Sequence, residues 1–186
     1  MKIIFLSKRH PQGKDLFTRP YGRFFHIPRL LAEMGYEVHL LLLSYRNQPT
    51  VDVIQSGIHW HSRSLWDIGK LSYWSTVCSF TDAIKPDWIV GFSDTYFGIL
   101  AEHLGRKFGV KSLIDAYDNY ESYLPWCTPL HFLWRRAVSQ ATAVTAAGPQ
   151  LAELLQQARS GKPVFIVPMA ADIPTFMPLD RDTCRH

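Results

Sequence analysis

Short apolar runs and amphipathic stretches alternate from one end of the chain to the other. Residues 2–7 (KIIFLS) form an apolar run too brief for a helix, and 38–44 (VHLLLLS) form a second just after Gly35. At 58–63, Ile58, Trp60 and Ser62 alternate with His59, His61 and Arg63, the period of a half-exposed strand. Residues 87–93 (DWIVGFS), 111–116 (KSLIDA), 143–147 (AVTAA) and 164–169 (VFIVPM) bring the predicted strands to about seven. Between them lie helical patterns. Residues 96–108 place Phe97, Leu100, Ala101, Leu104 and Phe108 on one face, with Asp94 as the N-cap. Thr128-Pro129 opens a second helix, a capping residue followed by proline in the first turn, with Leu130, Leu133, Trp134, Ala137 and Ala141 on its apolar face. Gly148-Pro149 opens a third, with Leu151, Leu154, Leu155 and Ala158 on one side and Gly161 beyond its end. Residues 21–34 also have a helical pattern, which Pro28 must kink or begin.

Apolar strands separated by amphipathic helices predict a doubly wound α/β domain, Rossmann-like, with a parallel sheet covered on both faces. Ligands in such sheets bind beyond the carboxyl ends of the strands. That places the site in the loops after Ser7, Ser93, Ala116 and Met169.

Composition narrows the function. The 186 residues suit one domain, and the net charge is only +4. No cluster of lysine and arginine accompanies a nucleic-acid module, so a nucleic-acid partner is not expected. The three cysteines, Cys78, Cys127 and Cys184, are odd in number and far apart, which fits a reducing compartment better than a disulfide framework. The first residues lack the longer apolar region and cleavage site of a signal peptide. No stretch approaches the roughly 20 apolar residues of a membrane span. The expectation is a cytoplasmic protein. His59 and His61 share a strand face but have no third ligand beside them in sequence, so no metal site is expected.

The first loop, 8–22, is long and holds only Gly13 and Gly22, and no Gly-Lys-Ser/Thr occurs. It is neither a dinucleotide fingerprint nor a P-loop, which disfavours NAD-dependent dehydrogenases and P-loop kinases. Four segments in order carry a different signal. Residues 30–38 (LLAEMGYEV) follow a phrase L-x-x-x-G-H-E-V with Tyr36 at the histidine, and Arg19-Pro20 precede that helix. Residues 86–94 (PDWIVGFSD) give a P-D-hydrophobic strand, and 113–123 (LIDAYDNYESY) hold a strand-end D-x-x-D. Residues 165–178 (FIVPMAADIPTFMP) follow I-P-N-G-V-D-x-x-x-F-x-P, with Met169-Ala170 replacing Asn-Gly. In these segments the chain resembles the N-terminal, acceptor-side domain of the group 1 glycosyltransferases of GT-B architecture. It departs from many of them in having no histidine at the end of strand 111–116.

That resemblance implies transfer of a sugar from a nucleotide-sugar donor to a hydroxyl of a glycan or lipid-linked acceptor, with retention. It implies no cofactor, no protein nucleophile and no divalent metal. It also implies that 1–178 are the acceptor-side domain and that 179–186 begin the connection to a donor-binding domain. On that view the 186 residues alone are inactive and bind nucleotide sugars negligibly. Two other functions fit the same pattern: a stand-alone flavodoxin-like binding module, and half of a GT-B-type sugar 2-epimerase.

Asp115 and Asp118, at the end of a predicted strand, are candidate acids for orienting or deprotonating an acceptor hydroxyl. Turn and N-cap chemistry would equally place aspartates there. Gly13, Lys14 and Arg19 in the first loop offer close backbone approach and positive charge to a pyrophosphate. Ser93, Asp94 and Tyr117 are expected to line the cleft, although capping alone accounts for Asp94. Phe132, flanked by Arg135 and Arg136 with Trp126 upstream, fits either a peripheral membrane contact or packing on a neighbouring loop. Self-association is expected through the face that a second domain would cover.

Overall fold

A computed structural model describes residues 1–69 and 72–170. The end of the 165–178 signature, Cys184 and the connection 179–186 lie outside the described residues. Eight strands form one sheet among the described residues: β1 (Lys2–Lys8), β2 (Glu37–Ser44), β3 (Val51–Gln55), β4 (Ile58–Ser64), β5 (Trp88–Gly91), β6 (Lys111–Ala116), β7 (Ala143–Ala146) and β8 (Phe165–Ile166). Their order is β3-β4-β2-β1-β5-β6-β7-β8, and every pairing is parallel except β3 with β4. The helices are α1 (Gly22–Glu33), α2 (Leu65–Ile68), α3 (Ser72–Ile84), α4 (Thr95–Phe108), α5 (Thr128–Gln140) and α6 (Pro149–Gln156). The chain winds outward from β1 in both directions, as a doubly wound sheet does.

The strand period of two sorts the core into faces. Ile3, Phe5, Leu40, Leu42, Trp60 and Val90 meet Phe24, Phe25, Ile27 and Leu31 of α1. Ile4, Leu6, Leu41, Leu43 and Ile89 meet Tyr73 and Val77 of α3 and Phe97, Leu100 and Leu104 of α4. Farther along that second face, Ile114, Ala116, Val144 and Ala146 meet Trp134 and Val138 of α5 and Leu155 of α6. At Gly91 the helix comes so close that a Cβ would lie 2.3 Å from the Phe97 carbonyl oxygen. Among the described residues the first face is covered less completely. Beside α1, Trp88, Val90, Leu113, Thr145 and Val167 line an apolar trough of about 270 Å³.

Three elements differ from the sequence expectation. β3 adds an eighth, antiparallel strand, joined to β4 through Ser56 (φ 53°) and Gly57 (φ 74°). Two successive left-handed residues suit a two-residue hairpin turn. Residues of β3 are largely exposed, so it lacks the apolar signature of its neighbours. Leu65–Ile68 and Ser72–Ile84 form α2 and α3, where no helix was expected. The α3 sequence SYWSTVCSFTDAI is rich in serine, threonine and aromatics, weak helix formers, and is held instead by burial of Tyr73, Val77 and Thr81. Leu133, expected on the apolar face of α5, is 46% exposed. Helix α1 runs through Pro28, which is buried.

Candidate functional site

The parallel strands all end on one edge of the sheet, so the loops after β1, β5, β6 and β7 gather there. The first loop is built round a buried cation. Arg9 Nε and Nη2 donate to the Asp15 carboxylate at 3.1–3.2 Å, and its Nη1 reaches Ser62 Oγ at 3.2 Å. Burial acts to raise Asp15, but hydrogen bonds from Arg9 and the Phe17 N–H hold it below the usual carboxylate range. Within the loop, Gln12 and Gly13 are left-handed (φ 55° and 80°). The Tyr21 hydroxyl donates to the Pro11 carbonyl, and burial, with Tyr117 nearby, pushes it up to about 12. Lys14 Nζ sits 5.6 Å over the Tyr21 ring, and Arg19 is exposed.

The loop after β5 is tied to β1. Ser93 is buried with φ 75°; its Oγ accepts the Lys8 N–H at 3.1 Å and its carbonyl accepts the Tyr117 hydroxyl at 3.4 Å. Asp94 caps α4 by accepting from the Tyr96 and Phe97 N–H groups, and its other oxygen lies 3.3 Å from Lys8 Nζ. Ser93, Asp94 and Tyr117 therefore form one network with Lys8.

The two aspartates after β6 differ sharply. Asp115 is 3% exposed; Arg23 of α1 donates to both its oxygens at 2.6 and 2.8 Å, and Thr145 Oγ1 donates at 2.5 Å. The expectation of an accessible acid at 115 is thus corrected: position 115 points into the face under α1, where a carboxylate persists only with a partner. Asp118 is exposed, accepting from the Tyr123 hydroxyl and from the Asn119 N–H at 2.8 Å. It stands where two hollows meet. One, of about 420 Å³, is bounded by Tyr117, Ala147, Gly148 and Pro149. The other, of about 290 Å³, lies between α5 and α6 and is lined by Trp134, Leu151 and Leu154.

The sequence model of the glycosyl transferase 4-like domain matches residues 23–170. The chain belongs to this family. No curated protein matches it by sequence. Among solved structures, Anabaena Alr3699/HepE in complex with UDP-glucose is similar with TM-score 0.68 at 13% identity, over 100% of this chain and 48% of that one. The UDP-GlcNAc 2-epimerase from Methanocaldococcus jannaschii is similar with TM-score 0.57 at 14% identity, over 90% of this chain and 45% of that one. At such identities the likeness concerns the fold. The chain spans about half the length of these structures.

In this glycosyl transferase 4-like domain, the expected residues Gly13, Lys14, Arg19, Ser93, Asp94, Tyr117 and Asp118 all lie on the one edge. The sequence expectation missed Lys8, Arg9, Asp15 and Arg23. Arg23 left a legible trace: it stands four residues before Ile27 on the apolar face of α1, as Asp115 stands within an apolar strand. Two charges in buried positions call for each other. Trp126 and Phe132 are 77% and 65% exposed, while Arg135 forms a bidentate pair with Glu121 at 2.6 and 2.8 Å. His59 and His61 join His39 in a stack, but no group of three or more potential ligands is placed to hold a metal among the described residues. Nor is any described helix long and apolar enough to cross a membrane.

Proposed function

We propose that this chain is the acceptor-side half of a glycosyltransferase that moves a sugar, with retention, from a nucleotide-sugar donor to a glycan or lipid-linked acceptor. What supports this reading is the family match over 23–170, whose strand-end loops converge on one edge. The donor is held mainly by a second half of similar size, in keeping with the twofold greater length of the solved structures. The first loop meets the donor phosphates. Its left-handed residues allow the main chain to approach closely, and Lys14 and Arg19 supply charge as the nucleotide departs. Arg9 and Asp15 keep that loop in shape from beneath. Asp118 orients the acceptor hydroxyl or takes its proton, being an exposed carboxylate fixed by Tyr123 and Asn119 at the rim of both hollows. Asp115 acts indirectly by locking α1 to the sheet through Arg23.

Transfer by the protein carrying both halves tests the assignment. Asp118→Asn is expected to lower kcat by about 10²–10⁴-fold. An unchanged kcat would remove Asp118 from the reaction. The 186 residues alone are expected to give negligible heat with UDP-, GDP- or ADP-sugars in calorimetry. Micromolar binding would favour a stand-alone binding module. Epimerised sugar released without any acceptor would favour the 2-epimerase chemistry of the M. jannaschii protein.

A further inference from the structure

The segment leading into α5, and the outer line of α5 itself, present apolar side chains that the fold does not use. Leu124 (40%), Trp126 (77%), Phe132 (65%) and Leu133 (46%) are all exposed. Helical geometry shows that this is not a ragged edge of the core. Trp134, Ala137 and Val138 define the buried side of α5. At 100° per residue Phe132 and Arg136 then fall almost opposite that side, on the line farthest from the sheet. An aromatic there cannot pack onto the body of its own domain.

Trp126 is equally deliberate. Its turn is closed by Cys127 N–H to the Leu124 carbonyl at 2.9 Å and Thr128 N–H to the Trp126 carbonyl at 3.1 Å. His131 Nε2 lies 3.0 Å from that same Leu124 carbonyl. The indole is therefore held out by an ordered turn.

Charge says what this surface faces. From Ser122 to Gln140 the sequence has no aspartate or glutamate, while Arg135 and Arg136 lie beside the aromatics. Of the acids beside this surface, Glu121 is neutralised by its bidentate pair with Arg135, which holds its carboxyl below the usual range, and Asp118 lies at the border on the site side, accepting from the Tyr123 hydroxyl. Arg136 is exposed and makes no ion pair among the described residues. Lys162 adds a third cation, with its Nζ 3.3 Å from the Ser139 carbonyl at the far end of the same helix.

We propose that the outer line of α5 and the Trp126 turn form a docking face for an anionic lipid bilayer. Trp126, Phe132 and Leu133 enter the headgroup–acyl boundary while Arg136 and Lys162 meet lipid phosphates. An apolar protein partner would not require the cations or a stretch, 122–140, without a single acid. The chain reaches this turn directly from the exit of β6, so the docked face borders the edge that carries Asp118. A membrane-borne acceptor would then meet the site without leaving its bilayer. The docking itself stands apart from the transferase assignment.

Co-sedimentation with unilamellar vesicles tests it. The 186-residue chain is expected to bind phosphatidylglycerol–phosphatidylcholine vesicles, and to bind pure phosphatidylcholine far less. Trp126→Ser with Phe132→Ser should weaken binding to the anionic vesicles on the order of tenfold. Arg136→Glu should abolish most of the preference for anionic lipid, and Phe132→Trp should retain binding. Unchanged thermal melting of the variants would show that the fold is intact, as their exposure implies. Three results would overturn the proposal: no binding of the unaltered chain at low salt, equal binding by the double serine variant, or a double variant that only loses self-association.

Discussion

The Arg23–Asp115 pair is almost fully enclosed, with side chains 4% and 3% exposed, and its energetics are asymmetric. Removing one partner strands a charge in a low-dielectric layer, whereas removing both leaves only a packing problem. Asp115→Asn is therefore expected to destabilise the domain by about 3–5 kcal/mol in urea unfolding, and Arg23→Met paired with Asp115→Leu by much less. Asp118→Asn, at an exposed position, should stay within about 0.5 kcal/mol of the unaltered protein. This contrast marks what single residues disclose in sequence. A D-x-x-D motif shows two acids at a strand end, but which one faces water depends on strand parity and on Arg23, 92 positions away. That Lys14 and Arg19 lie exposed in the first loop was legible, because nothing distant determines it. Arg9 and Asp15 were not, since their meaning lies in their contact with each other and with Ser62.

At the scale of elements, the sheet edge formed by β2, β4 and β3 carries an unusual set of imidazoles. His39 stacks on His59 with ring centroids 4.5 Å apart, and its Nδ1 lies 3.2 Å from His61 Nε2. Glu37 and Asp52 face the outer nitrogens at 3.0 and 2.8 Å, Arg63 lies alongside, and Phe80 of α3 packs edge-on against His61. Burial lowers both His39 and His61 from the ordinary 6.5, outweighing the carboxylates that favour protonation. Because the unfolded chain holds these protons more tightly, the contribution is fully present above pH 6.5 and is lost as pH falls through the lowered folded values. The urea midpoint is expected to drop between about pH 7.5 and about pH 5, and His61→Gln should flatten that drop. A midpoint indifferent to pH would show that the imidazoles do not share this burden. The strands bearing this stack were legible in sequence because apolar runs and alternation are local signals. The hairpin partner β3 was not, since an exposed edge strand has no apolar period, and α3 was not, since its helix depends on what Tyr73 and Val77 bury.

For the whole molecule, the uneven coverage of the sheet has its own test. A parallel sheet normally has both faces covered, yet among the described residues the trough beside α1 leaves Leu113 half-buried and Val167 exposed. The 186-residue chain is expected to self-associate through this trough, seen as a sedimentation coefficient that rises with concentration. Leu113→Glu should return it to a monomer, whereas the serine variants at Trp126 and Phe132 should not. A concentration-independent monomer would discard that interface. The doubly wound order was the most legible property of all, because each crossover repeats the same local alternation. The placing of β1 as the axis of winding has a kinetic consequence. Its register with β2 joins residues 35 apart, Lys2 with Glu37, but its register with β5 joins Ile3 to Trp88 across 85 positions. For flexible loops that difference costs only about 0.8 kcal/mol more in closure entropy, so neither partner is strongly favoured by distance alone. On an emerging chain, however, β2 and β4 are available long before β5, and the left half of the sheet can assemble while one side of β1 still waits. During that interval the main-chain groups of β1 on the β5 side form a temporary edge, ready to pair with whichever strand arrives first.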